Sequence, residues 1–68
     1  MNEDNLNMEI RKFLKKVGIT SQRIIENHIY EADKKGTIKA GDEIELEMKL
    51  SIKNFQSSNR IDGKIRIE

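Results

Sequence analysis

The sequence predicts an α+β fold, with two N-terminal helices packed on one face of a three-stranded antiparallel meander (α-α-β-β-β). Three observations carry that prediction. Apolar residues between Leu6 and Ala32 recur at helical spacing. Between Glu43 and Lys53 they fall on every second position, as in a strand with one covered face. Gly36 stands where the first period gives way to the second.

The first helix rests on Leu6, Ile10, Phe13, Leu14 and Val17. Asp4 or Asn5 can cap its start, and Glu3 and Asp4 suit the positive end of the helix dipole. Lys15 and Lys16 suit the negative end, and Gly18 is placed to stop the helix in the left-handed conformation. A second helix then starts at Thr20, with Ile19 and Ile24 as a hydrophobic staple. Arg23 stands where a capping box wants Glu. Ile25, Ile29 and Ala32 continue the inward stripe, and Lys34, Lys35 and Gly36 close it.

Thr37-Ile38-Lys39 reads as a short first strand and Ala40-Gly41-Asp42 as a turn. Ile44, Leu46, Met48, Leu50 and Ile52 line the inner face of the long strand. Asn54 to Asn59 reads as a polar loop around Phe55, and Arg60 to Glu68 as the last strand, with Ile61, Gly63, Ile65 and Ile67 inward. Charge sets the expected register. With Leu50 opposite Ile61, the outer face pairs Lys49 with Asp62, Glu47 with Lys64 and Glu45 with Arg66. Each such pair contributes roughly 0.2–1 kcal/mol. The expected core is Leu6, Ile10, Phe13, Leu14, Val17, Ile25, Ile29, Ile44, Leu46, Met48, Leu50, Ile61, Ile65 and Ile67, with Phe13 filling the gap at Gly63.

At 68 residues this is one small domain, 1–68, near the lower size limit for folding without staples. Cysteine is absent, which fits a cytoplasmic protein. No apolar run is long enough to span a membrane, and Met1-Asn2-Glu3-Asp4 is acidic where a signal peptide is basic. Charges of both signs nearly cancel to +1, which removes the usual first sign of a nucleic-acid binder.

No residue set forms a catalytic or metal-binding signature. His28 has no second His or Cys to share a metal with, and no serine or threonine has an evident base beside it. The expectation is no cofactor, no metal and no enzymatic activity. Two surface features remain. Arg11, Lys12, Lys15 and Lys16 form a basic patch whose like-charge pairs four apart cost a few tenths of a kcal/mol each. Such a patch suits an anion, although charge runs are usually solvated faces. Leu14 to Ile24 also resembles the turn of a helix-turn-helix, with Ser21, Gln22, Arg23 and Asn27 exposed at the start of a recognition helix. Leu14 and Asn27 depart from that pattern, as does the lack of a third helix.

Met1-Asn2-Glu3-Asp4, Met8, Arg11 to Ile19, Ser21-Gln22-Arg23, Ile25-Glu26 and the segment Arg60 to Ile65 resemble a family of short bacterial proteins of unknown function. The resemblance covers about half the chain. It implies a stand-alone protein of this length and supplies no functional residue.

The leading functional expectation is a non-enzymatic protein-interaction module, binding another protein or itself as a weak homodimer along an open strand edge. The alternative is a helix-turn-helix-like nucleic-acid-binding protein.

Overall fold

The computed structural model describes residues 1–68. They form two compact units, Met1–Lys35 and Gly36–Glu68. The first is a single helix, α1 (Glu3–Lys35). The second is an antiparallel hairpin of β1 (Glu43–Ile52) and β2 (Ser57–Arg66), joined through one 3-10 turn (Lys53–Phe55). The architecture is therefore α-β-β, which corrects the expected two helices and three strands.

Helix α1 begins at Glu3, with its cap two residues before the earlier of the expected caps, Asp4 and Asn5. The side-chain Oδ1 of Asn2 accepts the Asn5 N–H at 3.0 Å, and the Asn2 carbonyl accepts the Leu6 N–H at 3.1 Å. Asn2 is thus the N-cap. Glu3 and Asp4 lie in the first turn and Lys34 and Lys35 in the last, so charge at both ends complements the dipole. Gly36, at φ +70°, ends the helix as expected.

The expected break at Gly18 is absent: Val17, Gly18, Ile19 and Thr20 are all helical. A glycine inside a helix costs about 1 kcal/mol relative to alanine, a penalty that good neighbours absorb. Without a proline nearby, nothing forces the chain out of the helical path. Thr20 therefore caps nothing, and the staple of Ile19 and Ile24 does not form a helix start.

The expected first strand is also absent. Thr37 to Lys39 is irregular and leads into a turn whose closing residue is Asp42. A carboxylate oxygen of Asp42 accepts the Lys39 N–H at 3.0 Å, and the Lys39 carbonyl accepts the Asp42 N–H at 3.1 Å. Gly41 sits at φ +97°, in line with the expected turn at 40–42.

The two remaining strands pair Ile44 with Ile65, Leu46 with Gly63, Met48 with Ile61 and Ile52 with Ser57. This is two residues from the charge-based register. The displacement is even, so every side chain keeps its expected face. The connection decides the register. Only Lys53 to Gln56 lie between the strands, with Gln56 left-handed at φ 51°. Ser57, Ser58 and Asn59 belong to β2 rather than to a loop. At the open end the Ile67 N–H donates to the Asp42 carbonyl at 2.8 Å, which holds the same register.

Electrostatics yields to this geometry. Glu43–Arg66 and Glu45–Lys64 face each other favourably, but Glu47 faces Asp62 and Lys49 faces Arg60. Ion pairing is redirected: Arg60 Nε meets Asp62 Oδ1 at 3.3 Å along the strand, and Lys64 Nζ meets Glu43 Oε2 at 3.7 Å. Cross-strand pairs of under about 1 kcal/mol cannot displace a connection that fixes backbone hydrogen bonds.

Neither unit buries a side chain within itself. Val17, Ile25, Ile29, Ile44, Leu46, Ile65 and Ile67 are half-buried, while Leu6, Ile10, Phe13, Leu14, Met48, Leu50 and Ile61 are exposed. Within the hairpin, nothing lies within 4 Å of a Cβ placed on Gly63. A core needs two apolar layers in contact. Each unit by itself, a helix or a two-stranded sheet, supplies one.

Candidate interaction surface

The helix carries two faces with different chemistry. Successive residues turn by about 100°, so residues three or four apart share a side. Leu6, Ile10, Phe13 and Val17 continue without interruption into Ser21, Ile25 and Ala32. This apolar stripe is open to a partner: Phe13 is 54% exposed, Leu14 53% and Ile10 46%.

Ser21 belongs to the stripe. It lies four positions from Val17 and four from Ile25, and it is half-buried between them. Its expected role as an exposed residue at the start of a recognition helix is therefore corrected. Gln22, Arg23 and Asn27 are exposed, yet they stand in the middle of α1 and not at a helix start. The sequence signal for Ser21 was the spacing itself, obscured by taking Gly18 as a stop.

Arg11, Lys12, Lys15, Lys16 and Arg23 are all exposed. They turn away from the apolar stripe on the helical wheel, and no acidic residue occurs between Ile10 and Ile25. None of the five is in an ion pair; the helix's one pair joins Lys35 and Glu31 at 4.0 Å near its end. The basic patch is thus a solvated surface on a continuous helix. His28 is exposed, and no acid or hydroxyl is hydrogen-bonded to it.

On the hairpin, Ile44, Leu46, Ile65 and Ile67 make a half-buried apolar face, with Met48, Leu50, Ile52 and Ile61 more open. The opposite face carries Glu45, Glu47, Asp62 and Lys64, and a shallow dent lies at the Leu46–Gly63 pair. Each strand has one partner and one open edge. Tyr30 is 60% exposed and Phe55 79%, so neither anchors the fold.

These surfaces offer shape and apolar area rather than reactive groups. The model of a family of unknown function, DUF6494, matches residues 1–68. The chain belongs to this family. The match extends over the whole of 1–68, beyond the half of the chain that the resemblance covers. No curated protein and no solved structure matches the chain. No helix is long and apolar enough to cross a membrane; α1 has the length but carries charges throughout.

Proposed function

We propose that this DUF6494 protein is a non-enzymatic interaction module that completes its fold against another polypeptide. One observation carries the reading: the helix and the hairpin, each by itself, bury none of their regularly patterned apolar side chains. Hydrophobic burial is the main favourable term in folding. A helix that buries no apolar face is marginal in water. The stripe of α1 and the inner face of the hairpin are the surfaces a partner protein would cover, and the free edges of β1 and β2 offer backbone groups for strand addition. The cytoplasm is the compartment that fits a cysteine-free chain.

Hydrogen exchange across a dilution series, read together with sedimentation mass, tests this. The expected result is a mass above that of the monomer, with helix amides that lose protection on dilution. A monomer whose amides stay protected at every concentration has a core of its own and overturns the reading.

A second reading rests on the five unpaired cations of Arg11 to Arg23. A continuous basic face suits an anionic partner, nucleic acid first, through phosphate contacts without a recognition helix. Titration with duplex DNA or RNA should then show affinity that falls steeply with salt. Binding that ignores salt, or no binding at low salt, removes this reading.

A further inference from the structure

The stripe on α1 has an internal symmetry that specifies its occupant. Leu6 and Val17, Phe13 and Ile24, and Leu14 and Ile25 are each 11 positions apart. Eleven residues make about three helical turns, so such residues lie one above another on a nearly straight seam. Ile10, Ser21 and Ala32 repeat at the same interval.

Resting on the interaction reading above, we propose that α1 pairs with α1 of a second copy of this chain, antiparallel, with the two-fold axis level with Ile19. In that register Leu6 faces the partner's Ala32, Ile10 faces the partner's His28, and Val17 faces the partner's Ser21. All three pairs share residue 19 as their midpoint. Phe13 then meets the partner's Ile24, and Leu14 meets the partner's Ile25, each within one residue of level. Large side chains face small ones at the 6–32 and 17–21 layers, which lets the two helices interlock.

Charge chooses the direction. Glu3 comes level with the partner's Lys35 and Asp4 with the partner's Lys34, again about residue 19, and each pair occurs twice. The helix dipoles oppose, which is favourable. A parallel pair in register would instead set Glu3, Arg11 and Lys35 each beside its own copy. The antiparallel seam brings one kind of like pair near its flank, Glu9 with the partner's Glu31, which also occurs twice. There Lys35, already 4.0 Å from Glu31, lies alongside and offsets it.

The chain has no cysteine, so single spin labels can be placed at will. Met8→Cys, Ile19→Cys and Tyr30→Cys put the label on the outer face, 11 positions apart and away from the seam. Pulsed electron-spin distances on the three labelled proteins should give one short distance at position 19. Positions 8 and 30 should give equal, longer distances, with an axial offset of about 33 Å between labels. Three equal distances mean a parallel pair, and unequal distances at 8 and 30 mean another register or a strand-edge dimer. Either result overturns this pairing while leaving the interaction reading intact. A monomer without dipolar coupling also overturns the pairing, and the protection of its helix amides then decides the broader reading separately.

Discussion

The helix and the hairpin fail to bury a core for different reasons. Every backbone group in the middle of α1 is satisfied within its own turn, so the helix continues as long as local propensity permits. The hairpin depends on a neighbour: each strand bonds one partner and leaves an edge open. Local sequence therefore governs where α1 runs, and a connection of four residues governs how β1 and β2 align. Substitutions at comparable positions in the two units should accordingly act through different physics.

The largest effect belongs to Gly18. Gly18→Pro removes a helical hydrogen bond and should cost about 3 kcal/mol, visible as a loss of far-ultraviolet helical signal. Gly18→Ala is the sharper test. Open space surrounds its Cβ position and its φ is not positive, so alanine should stabilise α1 by about 1 kcal/mol. Had the glycine stopped a first helix in the left-handed conformation, alanine would destabilise instead. A lower melting temperature for Gly18→Ala would restore the two-helix reading.

Gly41, in the turn before β1, should behave in the opposite sense. Gly41 has equal space around it, but at φ +97° a side chain is strained. Gly41→Ala should cost on the order of 1–2 kcal/mol and weaken the bond from its N–H to the Ile67 carbonyl. Faster exchange of the Gly41 amide, with the amides of α1 unchanged, is the expected signature; an unchanged exchange rate argues against the turn. At the helix start, Asn2→Ala removes the cap on the Asn5 N–H and should cost ~1 kcal/mol, read as fraying of the first turn by amide exchange.

Much of this was legible in the residues. The change of period at Gly36, the end of α1, the turn at 40–42 and the faces of both strands follow from spacing alone. Spacing also marked the apolar stripe. Three things were hidden. Gly18 looks the same whether it ends a helix or sits inside one, because the deciding term is the propensity of its neighbours. Ser57 to Asn59 have loop-like composition, yet pair with Ile52 to Leu50 because the 3-10 turn closes early. What covers each apolar face was hidden as well, because patterning tells which face needs cover, never what supplies it. The basic residues are exposed on α1, whereas Ser21 is half-buried on the apolar stripe because the helix runs on through Gly18.

The smallest effect discriminates the strand register. In the structure Glu47 faces Asp62, whereas in the charge-optimal register it would face Lys64. Glu47→Lys therefore replaces a like-charge pair with an opposite one, a gain of roughly 0.2–1 kcal/mol. In the other register the same substitution would create a lysine pair and lose a similar amount. The side chain is exposed, so packing does not enter, and added salt should shrink the gain. Asp62 is already held by Arg60 at 3.3 Å, which places the expected gain toward the lower end of that range. Thermal melts of the two proteins at low and high salt measure it. A destabilised Glu47→Lys at low salt would mean that the strands are paired two residues away, and that charge had overruled the turn.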